Sequence, residues 1–382
     1  MGYSNATTDG IKRAVHLITV HRPFDTRIFH KQAKTLVDAG YVVTLIAQHA
    51  RDEVVDGVKI KALPKPKNRI SRIFGCTLTA FFYALCQKGD VYHIHDPELL
   101  PAGFLLKIFT GAKVIYDVHE DVPKQILTKY WIPKSFRPLL SLGFNGFEKL
   151  IARAMDAVVV ATEGIAKRFL GLNPIVVHNY PNLEMLPYSY RMPGQQKEKV
   201  LIYSGGISFL RGAFEMIKAL ELLNATWKVR LDLIGRFEPR ELEKKLQALK
   251  GFRCVRFLGF LKPEDVYNYL RSSDIGLACL HPEPRFMVGL PIKLFEYMAA
   301  GLPVIVSNFP LCHQIVEGNS CGLCVDPLKP QEIARAIEYL LAHPAEAYRM
   351  GQNGRRAVEE KYNWKNEAKK LIELYESIFM RS

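Results

Sequence analysis

Twice along this chain, short β-branched runs alternate with helical stretches, and one irregular segment divides the two series. The first series opens with AVHLITV (Ala14 to Val20) and continues through YVVTLIAQ, VKIKALP, DVYHIHD, AKVIYDVHE and DAVVVAT. Between these runs the pattern predicts helices: RIFHKQAKTLVDAG, capped by Asp25 or Thr26 and ended by Gly40, then a stretch around Ile70 to Gln87, another from Glu98, and a long one reaching Ala154. From Asn179 to Lys199 the rhythm breaks in NYPNLEMLPYSYRMPGQQKEK, whose prolines and glycine mark a linker. The second series runs through VLIYSGG, WKVRLDLIG, VRFLGFL, DIGLACL and Val304-Ile305-Val306. Strand followed by helix followed by strand demands right-handed crossovers and a parallel sheet. The expected fold is therefore α/β, with two Rossmann-like doubly wound domains facing across a cleft: 1–180, a linker over 181–198, and 199–362. A last amphipathic helix, from about Asn363, need not belong to the second sheet.

Composition narrows the class. At 382 residues, with 48% apolar and 24% charged residues, the chain is long enough for two cores. The net charge of +14 suits anionic partners, namely nucleic acid, an anionic membrane or phosphorylated substrates. No nucleic-acid-reading motif accompanies it. Seven cysteines without framework spacing fit a reducing compartment. The polar MGYSNATTDG lacks the apolar region of a signal peptide, and the run IFGCTLTAFFYALC (Ile73 to Cys86) is shorter than the roughly 18 residues of a membrane span. A cytoplasmic protein, peripheral to the inner face of a plasma membrane, is expected.

The densest local signal is GLPIKLFEYMAAGLPVIVSN, Gly289 to Asn308. A Gly-Leu-Pro turn enters an apolar helix that stops at Gly301, and a buried strand follows. In such sheets the turn before the helix lies at the carboxyl edge of the preceding strand, where ligands and phosphates bind. Lys293 stands three residues before Glu296, so both share a helix face. For an isolated Glu, pairing with a neighbour in the core is the plain alternative. After the strand Val200 to Tyr203, Gly205 and Gly206 let backbone approach a ligand, and Arg211 offers a cation. Gly235 and Phe260, at the ends of the next two strands, join this donor-binding set. A diphosphate held by Arg211, Lys293 and the turn amides of Gly289 and Leu290 follows. The absence of G-x-G-x-x-G and of a Walker loop removes the main support for dinucleotide or ATP binding.

Two N-terminal strands end in HIHD (His93 to Asp96) and DVHE (Asp117 to Glu120). His93 and His95 point to one face, which admits a metal reading with Asp96 as third ligand, although no further spacing supports it. His119 with Glu120 is the better functional candidate. CGLC (Cys321 to Cys324) matches C-x-x-C without a second pair and reads as a strand entry. No G-x-S-x-G elbow is present, which disfavours acyl hydrolysis.

Four segments together resemble the retaining family-4 glycosyltransferases of the GT-B fold: HRPFDTRIFHKQAKTLVDAGYVV, DVYHIHDPELLPAG with KVIYDVHE, YSGGISFLRG, and above all GLPIKLFEYMAAGLPVIVSNFP with EGNSCGLCVDP. The resemblance, over nearly the full length, implies that the C-terminal domain grips a nucleotide diphosphate sugar, with UDP preferred to GDP. It implies that the N-terminal domain takes the acceptor and that the helix 363–382 packs back on that domain. Glu296 matches the second Glu of an E-x7-E motif that binds the ribose. Arg211 matches a cation holding the diphosphate, while the partner cation of relatives is replaced by Gly206. His119 matches the histidine beside the reacting sugar. The first motif Glu is replaced by Val288, which departs from the pattern at the sugar-hydroxyl contact.

The implied activity is metal-independent hexosyl transfer, without a cofactor, by front-face displacement, with His119, Arg211 and Lys293 as catalytic groups. Asp25, Arg27, Asp96 and Glu120 are expected on the acceptor side. The implied setting is bacterial surface-polysaccharide synthesis on a lipid-linked (polyprenyl diphosphate) or other saccharide acceptor. Two alternatives stand beside it: a GT-B sugar-nucleotide epimerase, and a catalytically silent GT-B binding subunit, which the Val288 substitution favours. PKPKNRISR (Pro64 to Arg72) running into Ile73 to Cys86, and Lys124 to Leu140 with Trp131, combine cations with apolar residues as an anionic membrane surface requires.

Overall fold

The structure is a computed structural model that describes residues 12–129, 132–186, 198–223, 227–287 and 289–380. Val288 and Trp131 lie outside the described residues, as do residues 187–197 of the expected linker. The chain forms two compact units. One runs to Asn179 and resumes at Lys365, and the other is Tyr180–Trp364.

The first unit is built on β1 (Arg13–Leu17), β2 (Val42–Gln48), β3 (Glu53–Val55), β4 (Val58–Leu63), β5 (Val91–Ile94), β6 (Lys113–Val118), β7 (Ala157–Val160) and β8 (Ile175–Val176), in the order β3-β4-β2-β1-β5-β6-β7-β8. All neighbours are parallel except β3 with β4. Parallel strands covered by helices on both faces must be apolar on both faces, and all four residues of β5 are buried. β3 joins β4 through Asp56-Gly57, both with positive φ (48° and 79°), and Val55 pairs with Val58. That is the mirror-image turn that Asp-Gly favours in two-residue hairpins.

The second unit carries β9 (Lys199–Ser204), β10 (Val229–Ile234), β11 (Val255–Gly259), β12 (Ile275–Ala278), β13 (Val304–Ser307) and β14 (Gly322–Val325), all parallel, in the order β11-β10-β9-β12-β13-β14. Strand order reverses between β1 and β5 in one sheet and between β9 and β12 in the other. Loops leaving those strands diverge to opposite faces there, which opens a crevice at each carboxyl edge.

Tyr180 packs its ring 4.7 Å from Phe295 and Leu186 is buried, so this stretch belongs to the core of the second unit. At the other end, Trp364 N–H donates to Pro181 O at 2.8 Å. The final helix, Trp364–Met380, then lies in the first unit, where Glu367 accepts from His178 N–H at 2.8 Å and Tyr375 is fully buried.

Candidate functional site

At the carboxyl edge of β9 the backbone turns through Gly205, with φ +128°. A Cβ at Gly205 would stand 3.2 Å from Lys293 Nζ, and one at Gly206 only 2.8 Å from Arg211 Nη1. On the next strand, a Cβ at Gly235 would lie 1.8 Å from Gly205 O, so only glycine fits. The glycines therefore make room for two cations at one strand end.

Lys293 comes from the first turn of the helix Ile292–Ala299. The residue as a whole is half-buried, but its ammonium nitrogen is enclosed and has no hydrogen-bond partner. It lies 3.5 Å from the centroid of the Tyr203 ring. Burial, and then the Arg211 charge, push its pKa well below the lysine range, with Glu296 opposing. Tyr203 is itself buried, and its hydroxyl donates to Gly206 O at 2.7 Å. A buried cation without an anion is costly, and an incoming anion removes that cost. Glu296 sits half-buried one turn further on, and its charge is felt by Lys293 and by Tyr267.

Other expected members of this set fall differently. Gly289 N–H is turned to Phe286 O at 3.3 Å, so that amide already has a partner, and Leu290 packs against the core. Phe260 is exposed, with the Arg236 guanidinium 4.5 Å from the centroid of its ring. The Cys321 and Cys324 thiols are pushed up by burial to about 12 and about 11, which leaves them without thiolate character near neutral pH.

In the first unit, Asp117 at the end of β6 is a hub. It accepts from Arg27 Nη2 (2.9 Å), Arg27 Nε (3.2 Å) and Gln32 Nε2 (2.7 Å), with His119 Nε2 at 3.1 Å and His95 Nδ1 at 3.4 Å. Burial alone would raise its pKa, but Arg27 and His119 hold it well below the usual range. Arg27 is 3% exposed and also donates to Val177 O, so all three guanidinium nitrogens are engaged internally rather than toward an acceptor. Asp25, just before the first helix, accepts from Arg27 N–H (2.8 Å) and Ile28 N–H (3.1 Å). Glu120 is exposed and accepts from the Gln125 side chain.

Asp96 does not join His93 and His95 in a ligand set. It accepts from Thr19 N–H (2.6 Å), Val20 N–H (2.8 Å) and His21 Nδ1 (2.7 Å). Against the effect of burial, His21 and these amides hold its pKa at about 2, while Asp96 raises that of His21 to about 9. The third histidine beside His93 and His95 is His16, from β1. The ring nitrogens of these three, and those of His95 and His119 with the Asp117 carboxylate, are close enough to share an ion. Their mutual hydrogen bonds, 2.9 Å for His16 with His95 and 3.1 Å for His95 with His119, satisfy most of them without one.

Tyr203, His16 and Tyr375 lie beside the expected site residues, and sequence reasoning missed them. Tyr203 sits in a strand, where an inward aromatic reads as core, and nothing local links Tyr375 to His93, 282 residues away.

Residues 192–357 match the family described as glycosyl transferases group 1, and residues 26–182 match the glycosyl transferase 4-like domain. The chain is 24% identical over 306 residues to the MMP alpha-(1->4)-mannosyltransferase of Mycolicibacterium hassiacum, covering 77% of this chain and 72% of that relative. It is 22% identical over 385 residues to a glycogen synthase of Mycobacterium tuberculosis, covering 91% and 90%. Among solved structures, a sucrose-phosphate synthase from Thermosynechococcus elongatus matches with a TM-score of 0.76 at 19% identity, over 97% of this chain and all of that one. HepE from Anabaena in complex with UDP-glucose matches with a TM-score of 0.72 at 14% identity, over 96% and 99%.

Proposed function

Because the chain belongs to the GT-B glycosyltransferases of family 4, we propose that it transfers a sugar, with retention, from a nucleoside diphosphate sugar to a lipid-linked or saccharide acceptor. The observation that carries this is the enclosed, unpartnered ammonium of Lys293 with Arg211 at the switch point of the second sheet. Two cations on a glycine-lined strand end suit a diphosphate, and Glu296 one turn on suits the ribose hydroxyls. UDP is preferred to GDP as the carrier. As the bond to the sugar breaks, Arg211 and Lys293 stabilise the charge gathering on the diphosphate, whose own oxygen takes the acceptor's proton. No enzymic nucleophile, metal or cofactor is required by that route, which works by positioning and electrostatics. His119 is assigned beside the reacting sugar.

The acceptor is placed at an anionic membrane in the cytoplasm, in the synthesis of surface polysaccharide. No Asp or Glu occurs in 64–89, 99–116 or 122–147. Within these stretches, exposed Ile70, Phe74, Leu78 and Phe82 recur every fourth residue, so they form one helical stripe. The neighbouring helix Leu100–Thr110 packs beside it and exposes Ile108 and Phe109. Arg72 pairs with Glu98 at 2.9 Å and Lys107 with Asp156 at 3.0 Å, but apolar stripes on stretches that themselves carry only basic charges favour anionic lipid over a protein partner of mixed charge. Among the described residues no helix is long and apolar enough to cross a membrane.

The test is sugar-nucleotide consumption with and without a lipid-linked acceptor, with the anomeric configuration of the product read by NMR. Acceptor-dependent transfer with retention is expected. Conversion without acceptor would point instead to an epimerase, and binding without turnover to a silent subunit.

A further inference from the structure

Inside the first unit, five side chains from β1, β5, the final helix and the loops that follow β5 and β6 form an unbroken hydrogen-bonded row. Tyr375 Oη lies 2.9 Å from His93 Nδ1 and 3.3 Å from His16 Nε2. His16 Nδ1 lies 2.9 Å from His95 Nε2, and His95 Nδ1 lies 3.1 Å from His119 Nε2. Burial holds His16 and His93 well below the ordinary imidazole pKa, and His95 at about 3, so each of the three carries a single ring proton near neutral pH. With one proton on each of these three rings and the tyrosine hydroxyl donating within the row, the hydrogen bonds have two consistent polarities. In the first, protons point from His93 toward His119, and His119 Nε2 accepts. In the second they point inward: His119 Nε2–H donates to His95, His95 Nε2–H to His16, His16 Nε2–H to Tyr375, and Tyr375 O–H to His93.

Asp117 separates the two. Its Oδ2 lies 3.1 Å from His119 Nε2, 3.4 Å from His95 Nδ1 and 4.0 Å from His93 Nε2. The inward polarity turns an N–H toward the carboxylate at the first and third of these positions and a lone pair only at the second. The outward polarity does the reverse, setting lone pairs against the carboxylate at 3.1 and 4.0 Å. Coulomb attraction therefore selects the inward polarity. It is available only while Tyr375 accepts the proton of His16 Nε2, which is otherwise a buried donor with no partner.

We propose that Tyr375, on the last helix of the chain, is a positioning residue that holds this row inward, so that His119 is kept as the Nε2–H tautomer with a bare Nδ1 able to accept from a ligand hydroxyl. The ligand part of the inference rests on the assignment of His119 beside the sugar. The row itself does not.

Nitrogen NMR of the full chain labelled at histidine reads each tautomer directly. Wild type is expected to show His119 protonated at Nε2 and bare at Nδ1. In Tyr375→Phe, which keeps the ring and its packing, His16 loses its acceptor, and a population of His119 protonated at Nδ1 is expected. A wild-type His119 that is bare at Nε2 overturns the polarity, and one protonated at both ring nitrogens overturns the bare Nδ1; the wild-type spectrum decides both even were the variant not to fold. Unchanged tautomers in the variant overturn the role of Tyr375. Affinities for UDP-glucose and for UDP, measured on the same two proteins, test the ligand part. Tyr375→Phe should weaken UDP-glucose several-fold, leave UDP unchanged, and raise the donor KM more than it lowers kcat. A tautomer change with an unaltered affinity ratio removes His119 from the sugar while leaving the row intact.

Discussion

The ammonium of Lys293 lies 3.5 Å from the centroid of the Tyr203 ring, and it has no hydrogen-bond partner. A cation held over an aromatic face with no carboxylate in hydrogen-bond reach is destabilising until an anion arrives. Lys293→Met, similar in volume and uncharged, should therefore stabilise the ligand-free protein by about 1–3 kcal/mol. It should also weaken nucleoside diphosphate binding by about 2–5 kcal/mol. Because the folded-state pKa of Lys293 is depressed, the unfolded chain binds the extra proton. The penalty is therefore relieved as pH rises from that depressed value toward the ordinary lysine value. Denaturant melts from pH 7 to 10 should show wild type gaining stability on the variant as pH rises. A variant that is less stable and still binds UDP normally would sink the anion-site reading.

The pair His21 and Asp96 makes a pH prediction of the opposite sign. With the folded pKa of His21 raised to about 9, its contribution is fully present below about 6.5 and is lost as pH rises through 9. Asp96, depressed to about 2, contributes above the ordinary Asp value and loses that contribution as pH falls through about 2. Since both shifts describe one interaction, they are counted once, at about 1–3 kcal/mol. Relative to His21→Gln, wild type should lose stability between pH 6.5 and 9, with the acid limb above pH 4 unaltered. An equal slope in both proteins would assign the pH dependence elsewhere.

These relationships also mark where sequence reasoning stops. The alternation of strand and helix was legible because parallel strands buried on both faces are written as continuous apolar runs, as in Val304-Ile305-Val306. The β3–β4 hairpin is written in Asp56-Gly57 between Val54-Val55 and Val58, an antiparallel pair among parallel neighbours in its sheet. Arg27 is expected on the acceptor side by the resemblance alone. Its partner Asp117 is 90 positions away, and only the sheet order brings the two together. Lys293 and Arg211 were found as cations, but their shared strand end at Gly205 and Gly206, and the ring of Tyr203 beneath the lysine, are facts of packing that no local spacing encodes.

The apolar stripe on the first unit predicts a salt-sensitive attachment to lipid. Phe74→Glu combined with Leu78→Glu places two carboxylates on the exposed stripe, at residues 71% and 58% exposed, so folding should be little affected. Co-sedimentation with vesicles containing anionic phospholipid should fall by at least about tenfold. Each side chain withheld from the interface forfeits about 1.5–3 kcal/mol of apolar transfer, and each added carboxylate meets a surface of its own sign. Neutral vesicles should bind wild type poorly, and raised salt should release it. Binding by the double variant equal to that of wild type would place the attachment, if any, on another face.

Gly206 offers a test that separates folding from chemistry. The resemblance implies a cation where Gly206 stands, and a Cβ there would come within 2.8 Å of Arg211 Nη1 and 3.3 Å of Glu238 Oε2. Both are far ends of flexible side chains, and Gly206 has no positive φ to forbid alanine. Gly206→Ala should therefore fold with a stability change within about 0.5 kcal/mol. The guanidinium must move aside by a few tenths of an ångström or more, away from the position where leaving-group charge develops. If Arg211 supplies that stabilisation, kcat should fall about 10- to 100-fold, or about 1.4–2.7 kcal/mol in the barrier. UDP affinity should change less, because Lys293 remains. Arg211→Ala in the Gly206→Ala background should then cost little further, since both act on the same contact. Full additivity of the two substitutions in kcat would show that Gly206 and Arg211 serve separate steps. A fall in UDP affinity equal to the fall in kcat would make Arg211 a ground-state binding group rather than one that acts as the bond breaks.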